Sequence, residues 1–366
     1  MRVNWVAYNT VTLKDGQMYS PFASARYRVI QPMAGLAKRG HAVTLVQIGT
    51  DTAPDEVMSR FDADVVVFSK LITPRQDLFE KVSAATRTVI DRLRSTGRRV
   101  VADLNDNYFE HPFYGAFFRD FVCRVDAVVT STPEMSALAA QFTERPVAVV
   151  TDPFEGPRGV PRFSPPARRS RSGFRRWFGN HDERGEPLQL VWFGHQSNWK
   201  TLRGAVESLL ELRGWTIDLE IITAPDCGVA EFCDEFNAKH GRTCRLRFTP
   251  WSLDATWEGL ARATAVLIPT WSDDASQAVK SPNRLVESLR AGRFTVANPL
   301  PAYRSLAPYC WLGDSIVEGL RWALEHPDEA QRRALAGEAF VAATYSPEAV
   351  AAAWEAALAR RLDGRN

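Results

Sequence analysis

Short apolar runs rich in β-branched residues alternate with amphipathic stretches through the first 155 residues. Strands separated by helical periodicity in this way are typical of a parallel sheet covered by helices on both faces. Two of the intervening helices end at Gly40 and Gly97, because glycine favours the left-handed conformation that closes a helix. The predicted strands of this half are VNWVAY, HAVTLVQI, DADVVVFS, RRVVADL, AVVTST and VAVVTDP.

This pattern stops after Glu155 and resumes after Pro187. The segment between them mixes proline and glycine with seven arginines from Arg158 to Arg176, which predicts an interdomain linker. The strands predicted after it are LQLVWFG, TIDLEIITAP, RLRFTPW, AVLIPT, FTVANP and CWLG. We therefore expect an α/β chain of two Rossmann-like, doubly wound domains, 1–155 and 188–342, facing a central cleft, with 156–187 as linker and a helix within 343–366.

Charge and hydropathy narrow the classes of partner. Lys plus Arg at 45 nearly balances Asp plus Glu at 43, so no global field favours nucleic acid, and any anion site must be local. No apolar run reaches the roughly 18 residues of a membrane span, and the N-terminal run is too short for a signal peptide. A cytoplasmic protein is expected. The basic linker indicates either peripheral contact with an anionic membrane or a solvated loop.

Cysteine and histidine spacing gives little sign of a metal. The five cysteines contain no C-x-x-C pair, which favours free buried thiols, the alternative being a site made by Cys227, Cys233 and Cys244. The six histidines show no H-x-x-x-H or H-E-x-x-H spacing. We expect no catalytic metal and no cofactor.

The segment KSPNRLVESLRAG carries the sharpest chemistry in the second half. Ser281 or Asn283 can cap a helix start, and Gly292 suits its end. The N–H groups of such a start, flanked by Lys280 and Arg284, make a site for an anion. An ordinary capped surface helix is the alternative.

Glu287 follows Arg284 by three residues and so lies on the same helix face, one turn deeper. A carboxylate there can accept two hydrogen bonds from a ribose diol, or simply pair with Arg284. A second loop, in VWFGHQSNWK, turns at Gly194 and reaches Lys200 just before a helix. Since ligands of open α/β sheets bind beyond the carboxyl ends of strands, both loops are expected to contact one diphosphate.

In the first half, polar groups follow three predicted elements. Asp103, Asp106 and His111 follow the strand RRVVADL, where they could orient sugar hydroxyls or act as a base, or else only support the loop. Lys70 ends the strand in VVVFSK. Arg26 and Arg28 lie near the start of the first helix. These three cations are candidates to bind an anionic acceptor or the donor phosphates, with solvated side chains as the alternative.

The second half resembles the nucleotide-sugar-binding domain of GT-B glycosyltransferases, particularly the retaining family 4 type. The matching stretches are VWFGHQSNWK, AVLIPTW and KSPNRLVESLRAGRFTVANPLPAY. The first half, with RYRVIQPMAGLAKRGHAV and VVADLNDNYFE, is similar to the acceptor-side domain of the same enzymes. The resemblance covers most of the chain outside the arginine-rich linker.

The resemblance implies roles for particular residues. Gly194 and Lys200 match a glycine and a lysine that hold the donor diphosphate, and His195 stands where the family usually has arginine. Glu287 matches the second, ribose-binding glutamate of an E-x7-E pair, whose first position is Val279 here.

Lys280, Ser281, Asn283 and Arg284 are expected to complete diphosphate binding, as the resemblance implies for K-S-P-N-R variants. For the donor sugar the candidates are Asp273 and Asp274. Trp251 follows the third strand of the second half and either stacks on the nucleobase or packs in the core.

The activity implied is transfer of a sugar from a nucleoside diphosphate sugar to a hydroxyl acceptor, with retention of configuration. The acceptor could be a polysaccharide, a lipid-linked glycan or a small natural product. Two alternatives remain, namely a sugar-nucleotide epimerase of the same fold and a catalytically silent nucleotide-binding module. The final alanine-rich helix is expected to pack back on the first domain.

Overall fold

The computed structural model describes residues 1–8, 11–48, 54–73, 75–167, 186–225, 228–271 and 275–359. The chain divides into two compact units. Unit 1 comprises the described residues within Met1–Phe154, Ala275–Ser281 and from Ala343 onward, and unit 2 those within Glu155–Asp274 and Pro282–Ala342. Residues 275–281 fall inside the predicted second domain, 188–342, and yet belong to unit 1. The roles assigned to the two halves stay predictions.

The elements of the first 150 residues begin with a strand that lies second from one edge of its sheet. In chain order the elements are β1 (Arg2–Tyr8), β2 (Thr12–Lys14), β3 (Gln17–Tyr19), α1 (Ala23–Ala25), a π-helical turn (Arg26–Ile30), α2 (Gln31–Lys38), β4 (Ala42–Ile48), α3 (Pro54–Ser59), β5 (Val65–Ser69), α4 (Gln76–Ser95), β6 (Arg99–Leu104), α5 (Gly115–Arg124), β7 (Ala127–Thr130), α6 (Pro133–Ala139) and β8 (Val147–Val149).

Six of these strands form a parallel sheet in the order β4-β1-β5-β6-β7-β8, and β2 pairs with β3 in a separate hairpin. All residues of the central strand β5 are buried, whereas β4 at the edge alternates in burial. A central parallel strand is covered on both faces, so it reads as a continuous apolar run, as predicted for VVVFS. Gly40 and Gly97 have φ of +84° and +80°, which confirms the predicted helix ends.

The first helix contains a π-helical turn that the sequence pattern did not indicate. It begins at Ala23 and widens into this turn between α1 and α2. Pro32 lies two residues after the turn, in the first turn of α2. Proline has no N–H, and its ring crowds the carbonyl four residues earlier, that of Arg28, so the chain widens there.

The elements after the linker begin a second sheet. In chain order they are β9 (Leu188–Phe193), a 3-10 turn (Gln196–Asn198), α7 (Trp199–Val206), a 3-10 turn (Glu207–Glu211), β10 (Ile217–Thr223), α8 (Val229–His240), β11 (Cys244–Pro250), α9 (Leu253–Arg262), β12 (Ala265–Ile268), α10 (Ala275–Ala278), α11 (Asn283–Arg290), β13 (Phe294–Ala297), a 3-10 segment (Pro301–Tyr309), β14 (Trp311–Leu312), α12 (Ile316–Glu325), α13 (Pro327–Thr344) and α14 (Pro347–Ala359).

The sheet of unit 2 has the parallel order β11-β10-β9-β12-β13-β14. In order of appearance this is 3-2-1-4-5-6, the doubly wound order in which the chain reverses direction between β9 and β12. In unit 1 the reversal falls instead between β1 and β5. At such a switch point the connections leave on opposite sides, which opens a crevice beyond the carboxyl ends of the two strands.

Helix α14 packs within unit 1. Trp354 contacts Trp5 edge to face, with ring centroids 4.8 Å apart. A methyl group on Gly35 of α2 would lie 2.7 Å from Cβ of Ala351, so the glycine is what allows the two helices to approach. The alanine-rich sequence of α14 serves the same close packing.

Helix α11 has no side-chain cap at its start but ends at a glycine. Pro282 occupies the N-cap position, and no side chain there accepts a hydrogen bond, which corrects the expected capping by Ser281 or Asn283. At the other end the Gly292 N–H donates to Leu289 O and the Arg293 N–H to Ser288 O. This Schellman arrangement, with φ of +69° at Gly292, is the predicted glycine stop.

The first part of the predicted linker lies along unit 2. We call residues 155–163 the strap. Its backbone follows α11, because the Gly159 N–H donates to Arg290 O and the Arg162 N–H to Gly292 O. Arg158 pairs with the buried Glu338 at 3.0 Å. Arg158 and Arg162 therefore have protein partners, whereas the remaining arginines of the linker, from Arg168 to Arg176, lie outside the described residues.

Two further expectations concern cysteines and membranes. Cys233, Cys244 and Cys310 are buried thiols, while Cys123 is exposed, which corrects the expectation that all are buried; Cys227 lies outside the described residues. Burial raises the pKa of Cys233 to about 11. Among the described residues no helix combines the length and the apolar character needed to cross a membrane.

Candidate functional site

At the switch point of unit 2, the turn at Gly194 lies next to the side chain of Arg284. Gly194 follows β9 directly, and a methyl group on it would lie 3.6 Å from Nη1 of Arg284. Arg284 is in the first turn of α11. Its Nη1 atom is enclosed and has no hydrogen-bond partner within the described part of the chain. Burial lowers the pKa of Arg284, and a hydrogen bond with the Tyr303 hydroxyl opposes that shift.

Two threonine hydroxyls at the same edge of the sheet are also buried without a hydrogen-bond partner among the described residues. Thr223 is the last residue of β10, and Thr270 follows β12 by two residues. Buried polar atoms are seldom left unpaired in folded proteins, so each of these three groups is a candidate donor to a polar ligand.

His195 directs one ring nitrogen outward from this loop. Its Nδ1 atom accepts a hydrogen bond from the backbone N–H of Ser197 at 3.2 Å and lies 2.9 Å from the Ser197 hydroxyl. A neutral ring that accepts at Nδ1 carries its proton on Nε2. His195 therefore presents an N–H donor on the exposed surface, and Lys200 is exposed in the first turn of α7.

The motif KSPNR is divided between the two units. Lys280 and Ser281 belong to unit 1, and Asn283 and Arg284 to unit 2. Val279, at the position expected for the first glutamate, is buried in the core of unit 1. Its carbonyl accepts a hydrogen bond from the Thr132 hydroxyl at 2.9 Å. Val279 therefore has a packing role, which explains why an apolar residue suits that position.

Glu287 is buried and holds the strap. Its Oε1 accepts the N–H of Glu155 at 2.7 Å, and its Oε2 accepts the N–H of Gly156 at 2.9 Å. These two contacts hold the backbone of the strap against α11. A ribose at this carboxylate would share it with the strap backbone. The predicted ribose contact is untested and stays a prediction.

Unit 2 contains the residues predicted to contact the nucleobase and the donor sugar, and the structure describes only some of them. Trp251 follows β11 and is 38% exposed, so it is not a core residue, although its backbone N–H is bonded to Thr223 O. Asp273 and Asp274 lie outside the described residues. The sequence reasoning missed Trp271, which is 53% exposed just after β12, and Tyr303, the partner of Arg284. An aromatic residue directly after a strand at the switch point was a signal that could have identified Trp271.

In unit 1 the aspartate predicted for chemistry lies inside a buried ion cluster. Arg28 is fully buried; its Nε donates to Asp103 at 3.1 Å and its Nη1 to Asp152 at 2.9 Å. Ser69 donates to the other oxygen of Asp103 at 2.6 Å. Burial alone would lower the pKa of Arg28, but the two aspartates outweigh it and the net shift is upward. The guanidinium also lies over the Trp354 ring at 5.2 Å.

Arg26 and His111 make local contacts of a different kind. Arg26 Nη1 donates to the carbonyls of Ser20 and Pro21, at 3.2 and 3.1 Å. His111 Nδ1 accepts the backbone N–H groups of Phe113 and Tyr114, at 3.1 and 3.2 Å, and the exposed ring stacks on Tyr114. The neutral ring thus carries its proton on Nε2 and can donate there, whereas its accepting nitrogen is occupied.

Lys70 and Asp106 lie together at the other switch point. Lys70 follows β5, and its Nζ is 3.4 Å from both Asn105 Oδ1 and Asp106 Oδ2. The Tyr108 hydroxyl donates to the same Asp106 oxygen at 3.3 Å. Burial, and next Asp106, raise the pKa of Tyr108, which keeps that hydroxyl protonated. The structure thus brings Lys70 and Asp106 together and places Asp103 apart from them in its ion cluster.

No group of three or more His, Cys, Asp or Glu residues in the described ranges is arranged to hold a metal ion. The expectation that no metal takes part stays a prediction. The cations identified at the sheet edges, Arg284 in unit 2 and Lys70 in unit 1, are the charged groups available there to an anionic or polar ligand.

The fold is similar to that of several glycosyltransferases of known structure, whereas neither a protein-family model nor a curated protein sequence matches the chain. Anabaena Alr3699/HepE in complex with UDP-glucose aligns with a TM-score of 0.65 and 11% identity, over 98% of this chain and 99% of that one. A glycosyltransferase from Rickettsia africae aligns at 0.65 and 10%, over 100% and 99%. The catalytic domain of starch synthase IV from Arabidopsis thaliana, bound to ADP and acarbose, aligns at 0.59 and 10%, over 97% and 98%.

These alignments extend over nearly the whole chain and include both parallel sheets. The identities are too low to carry an activity from one protein to another, but similarity over both units establishes the architecture. The predicted fold class is confirmed: the chain has the GT-B fold, with two Rossmann-like α/β units, seen in these glycosyltransferases.

Proposed function

We propose that the chain is a glycosyltransferase that moves a sugar from a nucleoside diphosphate sugar to a hydroxyl acceptor. The observation that carries this proposal is the enclosed Nη1 of Arg284, which has no hydrogen-bond partner among the described residues and lies near the Gly194 turn at the switch point of unit 2. A doubly wound sheet binds nucleotides at this point. The three similar structures reported above are glycosyltransferases, and two of them were solved with UDP-glucose or ADP bound.

A diphosphate fits the donors of this sheet edge. Arg284 supplies a planar cation suited to phosphate oxygens, His195 supplies an Nε2–H, and Thr223 and Thr270 supply hydroxyls. The backbone at the start of α11 adds the positive end of the helix dipole. Gly194 leaves room for a phosphate to approach the turn, since a side chain there would point toward Arg284. Lys200, Lys280, Ser281 and Asn283 are proposed as further phosphate ligands.

The same groups account for catalysis. As the bond between the sugar and the diphosphate breaks, negative charge grows on the leaving phosphate oxygen. Arg284 and the helix dipole stabilise that charge, and because they are already in place no reorganisation is needed during the reaction. Retention of configuration and binding of the ribose by Glu287 are proposed on the resemblance to family 4 enzymes. Either Trp251 or Trp271 is proposed to stack on the nucleobase, because both are exposed beyond strand ends.

A second candidate function is a nucleotide-binding module without transfer. It is favoured by Glu287, whose two oxygens already hold the strap. An epimerase of the same fold would also bind the nucleotide, but it would change the donor without an acceptor.

The test is a thermal-shift screen with UDP, GDP, dTDP, ADP and their sugars, followed by chromatography of each stabilising donor with and without an acceptor. A ligand that binds only the folded state raises the melting temperature. Transferase activity predicts donor consumption that depends on the acceptor, and anomeric NMR of the product reports retention or inversion. Consumption without an acceptor, to an isomeric donor, would support the epimerase. Binding without consumption would support the silent module, and no stabilisation by any nucleotide would refute all three.

A further inference from the structure

We propose that Lys70, Asp106 and Tyr108 form a binding subsite for one neutral hydroxyl group of a saccharide acceptor. The proposal rests on the proposed function, because it names the class of acceptor. These residues lie where β5 and β6 of unit 1 end, next to the β1/β5 switch point. In this strand order the ligand crevice opens beyond the ends of the two strands at the switch point, β1 and β5, and Lys70 follows one of them.

The backbone of Lys70 has an unusual conformation. Its φ is +52°, and the other positive-φ residue besides glycine in the described ranges is Asp15, in the exposed β2–β3 turn. A left-handed conformation is unfavourable for a residue with a Cβ, and such residues persist mainly where the surroundings or the function require them. Glycine would adopt this conformation without strain, yet the chain places a lysine here.

The side chain of Lys70 is enclosed but incompletely bonded. Lys70 is 9% exposed, and its ammonium carries three protons. Its nearest partners, Asn105 Oδ1 and Asp106 Oδ2, are both at 3.4 Å, beyond the usual range of an N–H···O hydrogen bond. A buried cation usually has short, well-formed hydrogen bonds. The Lys70 ammonium therefore has capacity to donate to a further oxygen.

The space beside Lys70 suits a single oxygen. A cavity of about 10 Å³ is lined by Lys70, Asp106 and Tyr108. That volume is close to the minimum that holds one water molecule, and a hydroxyl oxygen is of the same size. Asp106 is 29% exposed in its side chain and so can be reached from solvent.

The opposite charges of Lys70 and Asp106 favour a neutral hydroxyl group over an anion as the ligand. Asp106 balances the charge of Lys70, so the pair has no net attraction for an anion. A hydroxyl group can instead accept from the ammonium and donate to the carboxylate, which uses both members of the pair. Tyr108 donates to Asp106 and holds its carboxylate in place. Asp103 differs from Asp106, because its carboxylate is buried and both of its oxygens already accept hydrogen bonds, one from Arg28 and one from Ser69.

The test compares Lys70→Gly and Asp106→Asn with the control Asp15→Gly. Lys70→Gly and Asp15→Gly both relieve a left-handed residue, but only the first removes the ammonium. Binding of neutral p-nitrophenyl glycosides and of glucose 6-phosphate is measured by saturation-transfer NMR, and the melting temperature is recorded for each variant. Binding of UDP, GDP, dTDP and ADP to the wild type and each variant is measured separately by calorimetry.

The expected result is that neutral glycosides bind the wild type and Asp15→Gly equally. Their affinity falls about 10-fold or more in Lys70→Gly and Asp106→Asn, as for the loss of a hydrogen bond to a charged group. The melting temperature of Lys70→Gly does not fall. Equal glycoside affinity in all variants, no glycoside binding by the wild type, or tighter binding of glucose 6-phosphate would each overturn the proposal. If none of UDP, GDP, dTDP and ADP binds the wild type, that result counts against the proposed function instead.

Discussion

The two units differ in how the buried arginines near the carboxyl ends of their sheets are hydrogen-bonded. In unit 1, Arg28 is held by Asp103 and Asp152 and is covered by Trp354. In unit 2, Nη1 of Arg284 is enclosed without a hydrogen-bond partner in the described part of the chain, close to Gly194. Two buried arginines at equivalent ends of similar sheets thus have different partners.

The difference separates structural charge from charge that awaits a ligand. A buried ion pair with all its hydrogen bonds made fixes the elements that carry it. A buried donor left unpaired costs free energy, which a ligand can recover on binding. By this criterion Asp103 and Arg28 hold unit 1 together, whereas Arg284 and, in unit 1, Lys70 are the groups available for binding.

Asp103→Asn is expected to have the largest effect on stability. Replacing one charged partner of the buried cluster leaves Arg28 with Asp152 as its remaining carboxylate, and breaking a buried ion pair costs up to about 3–5 kcal/mol. Chemical denaturation followed by fluorescence, with the transition of unit 1 analysed separately, measures the change. The matched variant Asp106→Asn, in a partly exposed side chain, is expected to lower stability by less than about 1 kcal/mol. Equal destabilisation by the two variants would remove the distinction between the carboxylates.

Glu287→Gln is expected to have an intermediate effect in unit 2. The amide presents one accepting oxygen to the strap instead of two, so one of the N–H groups of Glu155 and Gly156 loses its acceptor, at a cost of about 1–3 kcal/mol. Nucleoside diphosphate affinity is expected to fall with it if the carboxylate also binds ribose. Glu318→Gln, at an exposed position in α12, is the control. Reduced stability with unchanged nucleotide affinity would restrict Glu287 to the strap.

Lys200→Ala is expected to have the smallest effect. Lys200 is exposed, so its contribution to phosphate binding is screened by water and salt, and we expect a loss of affinity of only a few-fold, about 1 kcal/mol or less. Calorimetry at low and at physiological salt measures it. Lys239→Ala removes an exposed lysine from α8 of the same unit and is the control. Identical affinities for the two variants would exclude Lys200 from the site.

The sequence predicted the sheets better than it predicted the sites. Periodicity located the strands because a buried parallel strand such as β5 is apolar throughout. It could not show that Asp103 pairs with Arg28, 75 residues away in the chain, since such pairing depends on tertiary packing. The same holds for Glu287, whose contacts with the strap come from a segment that reads as linker.

Two other features depended on local chemistry that sequence patterns do not encode. The π-helical turn before Pro32 follows from a missing N–H, but whether proline widens, kinks or ends a helix is set by its packing. The left-handed Lys70 has no sequence signal, since a lysine at a strand end reads as a solvated charge.

The central claim is that Arg284 binds the diphosphate of a nucleotide at the Gly194 turn. Its most direct test is calorimetric titration of UDP, GDP, dTDP and ADP into the wild type, Arg284→Met and Arg284→Lys. We predict that at least one nucleotide binds the wild type and that Arg284→Met lowers its affinity about 10- to 100-fold, with partial recovery in Arg284→Lys, as expected for a charge-assisted hydrogen bond. Arg284→Met also removes the hydrogen bond to the Tyr303 hydroxyl, so the melting temperature of each variant is recorded beside its affinity. Equal affinity of the wild type and Arg284→Met would contradict the claim.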